Sequence, residues 1–320
     1  MHINRIFELS MIQDNKQFEE AFARSFCGDG DLCENDDEYV DLSMASKGLI
    51  VKYRNSTRKK KVKIIADVAT VTNGDVDDAG KFIHKLEKHI DKYFDARYEL
   101  EDFTVSGLTL TATLDVGNSE NVSAYLKAIR RIGKVKSFSP VSYDGIDDNI
   151  SFCLKGNSNA VEFLMFDLDK YMAAQMKKAG GLKKYKGILR VEARLTKQKA
   201  IQKYSAAYST TDQIMQLLKQ CQGIFTGIFT SIIPFGDFYK KREADEIIRN
   251  EISDTVLRRR MLRLLALIPE KKSLLLAQKE MAYRHQDDLM IEFAKINLSP
   301  ITLSKRHEMN YLPNIYNYFT

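Results

Sequence analysis

Residues 182–203, LKKYKGILRVEARLTKQKAIQK, carry a single acid, Glu192, inside a run of Lys and Arg. The core ILRVEARL alternates apolar and charged residues, so a strand sends Leu189, Val191, Ala193 and Leu195 to one face and Arg190, Glu192 and Arg194 to the other. A carboxylate between two guanidiniums supports two chemistries. It forms an i, i±2 ion pair on a solvated face, worth about 0.2–1 kcal/mol. Alternatively it holds a hard divalent cation, Mg²⁺ or Mn²⁺, while the surrounding cations hold phosphates. The strand GLTLTATLDV repeats the arrangement: Thr109, Thr111, Thr113 and Asp115 share one face, and Leu108, Leu110, Ala112, Leu114 and Val116 the other. Its terminal carboxylate is either the cap of a turn on a half-exposed antiparallel strand or a second acid for the same site.

Charge says what such a face would meet. The 320-residue chain has net charge +6 and a pI near 8.9, but residues 1–50 carry −7, which leaves +13 on the remainder. Lys and Arg cluster at 52–63, 177–203 and 240–263. A basic body with an acidic start points to a polyanion partner. Lys183, Lys184, Lys186, Arg190 and Arg194 are the candidate phosphate contacts next to Glu192. With 44% hydrophobic and 29% charged residues, the chain is ordinary globular protein, long enough for two modest domains. Four widely spaced cysteines, Cys27, Cys33, Cys153 and Cys221, support neither a disulfide framework nor a zinc knuckle, so a reduced, cytoplasmic setting is expected. His84 and His89 are five apart and fall on different helix faces. The longest apolar run, residues 223–235, is too short to span a bilayer and reads as a buried helix end, so no membrane partner is expected.

Four regions position these residues. Residues 1–45 form an acidic N-terminal segment, with a helix expected in IQDNKQFEEAFARSF and a connector in GDGDLCENDDEYVD. From 46 to 204 strand and helix signals alternate. GLIVKYR and KVKIIADVATV are expected strands joined by the basic turn NSTRKK, and VDDAGKFIHKLEKHIDKYFD is an amphipathic helix with Phe82, Ile83, Leu86, Ile90, Tyr93 and Phe94 inward. Strand GLTLTATLDV, helix NVSAYLKAIRRI, strands KVKSFSPVSY, NISFCLK and AVEFLMFDL, helix DKYMAAQMKK and strand GILRVEARL follow. The expected fold is α+β: one mostly antiparallel sheet, helices packed on one face and the other face open to a ligand. Residues 205–320 form a helical C-terminal domain, with Ile214, Leu217, Leu218, Cys221, Ile224, Phe225, Ile228 and Phe229 at helical spacing and further helices over 240–268 and 272–296. Near its end Ser299 is expected to cap a short helix with Pro300 at its first position, placing Lys305, Arg306 and His307 on it in the outline of a helix-turn-helix.

The order of TLTATLDV, a helix, SFCLKGNSNAVEFLMFDLDKY and ILRVEARL resembles the rolling-circle replication initiators of plasmids and phages, a family that shades into conjugative-transposon initiation factors. The resemblance covers residues 46–204, with a looser echo in the helical C-terminus. The family has an Arg-hydrophobe-Asp strand, a Tyr nucleophile before a Gly-Ser turn, a Tyr-Asp-Lys-like strand end and an Arg-x-Glu strand. Arg190-Val191-Glu192 matches the last and FDLDK at 166–170 the third. Thr111 and Asp115 stand where the family has two acids, and Phe152 or Cys153 where it has the nucleophilic tyrosine; Tyr143 and Tyr171 are the nearest phenols. The resemblance implies a nickase-like fold, a Mg²⁺ or Mn²⁺ on Asp115 and Glu192, and a partner that is single-stranded DNA or an origin hairpin. It also implies a metal-assisted endonuclease step in which Tyr143 or Tyr171 attacks the phosphodiester to give a phosphotyrosine. A homodimer is among the expected assemblies.

Three functions stay open at this point: an active nickase that initiates replication of a plasmid, phage or mobile element, a catalytically silent DNA-binding relative, and an RNA-binding or partner-binding accessory protein built on an RRM-like sheet. The third requires exposed aromatic pairs on central strands. Phe152, Phe163 and Phe166 lie in strongly apolar strands and read as core.

Overall fold

The computed structural model describes residues 2–13, 38–54, 60–143, 145–176 and 183–319. In chain order the elements are β1 (Asn4–Gln13), β2 (Glu38–Asp41), β3 (Leu49–Arg54), β4 (Lys60–Asp67), α1 (Val68–Thr72), α2 (Ala79–Tyr93), β5 (Thr104–Asp115) and α3 (Ser119–Ile129). There follow β6 (Phe138–Pro140), β7 (Ser151–Gly156), β8 (Val161–Asp167), α4 (Leu168–Gln175), β9 (Ile188–Leu195), α5 (Gln198–Gln202) and α6 (Thr210–Ile232). The last are β10 (Phe238–Tyr239), α7 (Lys241–Glu251), α8 (Thr255–Lys271), α9 (Leu274–Met281), α10 (Gln286–Lys295) and β11 (Tyr311–Leu312). Nine strands hydrogen-bond in the order β2-β3-β4-β1-β5-β9-β8-β7-β6, and β10 pairs with β11. The fold is α+β with a large antiparallel sheet, as the sequence leads one to expect.

By contacts the chain divides into two compact units interleaved in sequence. One comprises residues 3–110 and 194–224, the other 1–2, 111–193 and 225–320. The expected composition boundaries near 45 and 204 run instead in chain order.

In the first unit, β1 pairs antiparallel with β4, with Leu9 opposite Ile64 and Met11 opposite Val62, and β4 pairs with β3. Phe7, Leu9, Val51, Tyr53, Val62, Ile64 and Ala66 are buried, as are Phe82, Ile83, Leu86 and Ile90 of α2. Alternation in the strands and 3.6-residue spacing in the helix therefore deliver one core. Two carboxylates start the helices here. Asp67 accepts from Thr70 N at 3.0 Å and Asp78 from Lys81 N at 2.8 Å. A third carboxylate, Glu101, accepts from Thr210 N at 2.7 Å and Thr211 N at 3.0 Å at the start of α6. Burial opposes ionisation of Glu101, but these bonds outweigh it and hold its pKa below the ordinary carboxylate value.

In the second unit, α3 packs on β7 and β8, where Phe152, Leu154, Phe163 and Met165 are buried. The opposite face of the same strands carries Cys153, Leu164 and Phe166, closed over by Leu168, Tyr171 and Met172 of α4, Tyr143, Tyr185 and Ile188. The C-terminal residues are tied in by Asp237, whose carboxylate accepts from Asn297 Nδ2 at 2.9 Å, Tyr311 Oη at 3.3 Å and Asn314 N at 2.6 Å. Nearby, Tyr125 of α3 donates to Pro313 O at 2.8 Å, and His307 Nε2 lies 3.3 Å from Ala124 O.

Several expectations need correction. Residues 4–13 form β1, not part of an acidic segment outside the sheet, and Ile12 and Gln13 belong to it rather than to a helix. The rest of that expected helix, most of the acidic connector, Cys27, Cys33 and residues 55–59 of the turn NSTRKK lie outside the described residues. The expected strand 61–71 stops at Asp67, because its side chain caps α1. Only residues 138–140 of KVKSFSPVSY are strand. Residues 299–307 form no helix: Leu303 bridges Lys240 in parallel and Ser299 Oγ accepts from Ile301 N, so the helix-turn-helix outline fails. Helices do not keep to one face of β8, since α4 and its neighbours build a small second core on the face expected to be open.

Candidate nucleic-acid interface

β9 fulfils its alternation. Leu189, Val191, Ala193 and Leu195 are buried, while Arg190 and Arg194 are half-buried on the other face. Glu192 departs from its row. It is only 4% exposed, and its Oε1 accepts from Arg190 Nε at 2.7 Å. The expected ion pair exists, but on a covered rather than a solvated face: the Arg190 side chain is 29% exposed and that of Glu192 6%. The row therefore shows solvent its cations and holds its acid beneath them.

Val116 N donates to Gly187 O at 2.8 Å, joining the end of β5 to the approach to β9. Gly187 has φ +80°, and a Cβ there would lie 2.7 Å from Gly117 C, so only glycine fits this close approach. The β5 row behaves as read: Leu108, Leu110, Ala112 and Leu114 are buried, and Thr113 and Asp115 are exposed. Asp115 accepts from Gly117 N at 2.9 Å, the turn-capping geometry expected of an Asp at a strand end. Thr111 is buried, and its Oγ1 has no hydrogen-bond partner among the described residues.

These positions bear on the expected metal. Asp115 is exposed and engaged in its turn, and Glu192 is neutralised by a guanidinium 2.7 Å away. Among the described residues no group of three His, Cys, Asp or Glu is arranged to hold a metal ion. Mg²⁺ and Mn²⁺ take oxygen donors in near-octahedral shells. Two carboxylates, one of them committed to an arginine, do not fit that requirement.

The two candidate tyrosines share one cluster. Tyr143 and Tyr171 pack against the same cluster of Cys153, Leu164, Phe166 and Leu168, with Ile188 at the start of β9 in it. Tyr171 lies 4.8 Å from the Phe166 ring, centre to centre. Lys184 and Lys186 are exposed just before β9, with the Lys184 ammonium 4.6 Å above the Tyr185 ring. Lys183 begins a 3-10 turn, Lys183–Tyr185. Lys305 and Arg306 are exposed in a turn of the C-terminal chain.

Phe152, Phe163 and Phe166 are 5%, 0% and 1% exposed. Central-strand aromatics of the kind an RRM stacks bases on are thus core here. The chain matches no protein-family model, no curated protein and no solved structure. Among the described residues no helix is long and apolar enough to cross a membrane.

Proposed function

We propose that this chain is a DNA-binding protein of the replication-initiator type that grips phosphates of single-stranded or origin DNA through the β9 row and the lysines before it. One observation carries the reading: Arg190 reaches solvent while its counter-ion, Glu192, is buried, so the face presents positive charge despite its acid. Lys184 and Lys186 extend that charge toward the N-terminal end of β9. Backbone phosphates are the partner such a face favours, and their release of counter-ions makes affinity fall as salt rises.

Anisotropy titration of a labelled single-stranded oligonucleotide across a salt series tests the reading. Replacing Lys184, Lys186 and Arg190 by Gln is expected to reduce the slope of log K against log salt by about 2, at about 0.7 for each single-strand phosphate no longer neutralised. Salt-independent binding, or none at low salt, overturns it.

A strand-nicking function is a second reading, favoured by the packing of Tyr143, Tyr171 and Ile188 on one cluster. In it one phenol oxygen bonds to the scissile phosphorus and the 3′ oxygen leaves with a proton, giving a 5′-phosphotyrosine and a free 3′ hydroxyl. Incubation with origin oligonucleotides, followed by denaturing electrophoresis, detects that adduct. Its persistence in a Tyr143→Phe/Tyr171→Phe protein excludes both residues.

A further inference from the structure

The first unit carries a second concentration of positive charge, on strands the β9 row does not include. In the β3–β4 ladder Lys52 stands directly opposite Lys63, and Arg54 directly opposite Lys61. Opposed residues of an antiparallel pair point to the same face, so four cations share one small area of sheet. Their intervening neighbours, Val51, Tyr53, Val62 and Ile64, are buried in the core behind. Like charges directly opposite destabilise a sheet. Two such pairs side by side therefore work against folding unless something anionic meets them.

The familiar structural reason for lysines on strands is protection of a free sheet edge. It does not apply, since β3 and β4 are the second and third strands and β2 is the edge. Neutralisation within the chain is also incomplete. Glu8 binds Lys63 at 2.6 Å and Glu38 of β2 stands directly opposite Arg54 in register, but Lys61 has no acidic hydrogen-bond or ion-pair partner among the described residues. Lys61 is held below the ordinary lysine pKa, first by burial and then by Lys63, with Glu8 pulling the other way and Arg54 adding less. Lys61 also lines a cleft of about 520 Å³, together with Ser10, Thr104, Ser106, Thr196 and Lys197. Asp102, also at its rim, binds its own chain at Glu99 N.

We propose that this face of the first unit is a nucleic-acid-binding site that takes the phosphodiester backbone of a single strand, with Lys52, Arg54, Lys61 and Lys63 as phosphate contacts and the cleft receiving one nucleotide. Residues two apart along a strand lie about 7 Å apart, a spacing comparable to that of successive phosphates on an extended chain. A cationic strand surface with hydroxyls beside it follows such a chain without reading sequence. The site is independent of the role given to the β9 row.

The test uses the full chain and a fluorescent oligothymidylate of about a dozen nucleotides, within the length that one single-strand site covers. Affinity is measured by anisotropy from about 50 to 200 mM salt. Arg54→Gln/Lys61→Gln removes one directly opposed pair of the four cations. It is expected to reduce the salt slope by about 1.4 and to weaken binding several-fold, while the urea midpoint stays level or rises because a like-charge pair is gone. Arg54→Lys/Lys61→Arg, which keeps both charges, is expected to retain the wild-type slope. Wild-type affinity and slope in the Gln variant overturn the proposal, as does an equal loss in the charge-keeping variant. Loss of binding to phosphatidylserine vesicles with oligonucleotide binding intact also overturns it, in favour of a membrane surface. Arg190→Gln tested alongside separates the sites: failure of that variant alone to weaken binding counts against the β9 reading and leaves this one standing.

Discussion

Replacing Glu192 by Gln removes one charge and almost no volume, so it isolates what that charge does. A hydrogen bond to an ionised partner contributes about 1.5–3 kcal/mol and a neutral one about 0.5–1.5 kcal/mol. The amide introduced by Glu192→Gln keeps an oxygen for Arg190 Nε, which sits 2.7 Å from the present carboxylate. The loss is therefore about 1–2 kcal/mol, and since the Arg190 side chain is 29% exposed, water recovers part of it and the lower end applies. In a chain of this size about 1 kcal/mol lowers the melting temperature by roughly 1.5 °C, readable by differential scanning fluorimetry. Oligonucleotide affinity should move the other way, rising about two- to five-fold at low salt, because a phosphate approaching Arg190 no longer meets a competing carboxylate. An unchanged melting temperature with unchanged affinity refutes the structural account of Glu192. So does a Mg²⁺- or Mn²⁺-dependent stabilisation of the wild type that Glu192→Gln abolishes, which would reinstate the residue as a metal ligand.

Asp237→Ala should destabilise the second unit by about 2–4 kcal/mol, since Asn314 N and Asn297 Nδ2 lose their buried acceptor; urea denaturation followed by circular dichroism reads this. Glu101→Gln should lower stability by about 0.5–1 kcal/mol near neutrality through the weakened cap on α6. Because bonding from Thr210 and Thr211 depresses the folded-state pKa of Glu101, its contribution is present above the unfolded value and is lost as pH falls through the folded one. The gap between wild type and variant should accordingly close below about pH 4, and a gap constant from pH 7 down to about 3 contradicts the assignment. Gly187→Ala should cost more than about 1 kcal/mol from its positive φ alone and weaken oligonucleotide binding with it; a fully stable variant would show that the close approach to Gly117 is dispensable.

Much of the sheet is written in strict alternation. β5 and β9 follow their patterns because each has one face on the core, and the sequence period then states which residues lie inside. Phe7, Leu9 and Met11 show the same period, yet β1 sits at the start of an acidic stretch whose composition masks three inward residues. Burial of Glu192 was not legible in the same way. A charged position in an alternating strand reads as solvent-facing, and nothing local to β9 announces that Tyr143, Tyr171 and Tyr185 close a second small core beside it. The failed terminal helix has a local cause as well. Ser299-Pro300 is a sound helix start, but the backbone of Ser299 and Leu303 is taken by Asp237 and Tyr239, more than sixty residues earlier in the chain. Cross-strand pairing of Lys52 with Lys63 depends on register across a hairpin, which composition alone does not fix.

The knot at Asp237 has a consequence for synthesis. Tyr125 in α3 waits for the carbonyl of Pro313, 188 residues later, and Asp237 waits for Asn314. At a ribosomal rate of about 5–20 residues per second, the first of those partners follows by roughly 10–40 s. For that interval α3 lacks the surface that completes it, so the second unit closes only after Pro313 and Asn314 leave the exit tunnel. A stop codon placed just before Tyr311 should therefore yield a chain that collects on chaperones, where one that runs through Phe319 folds.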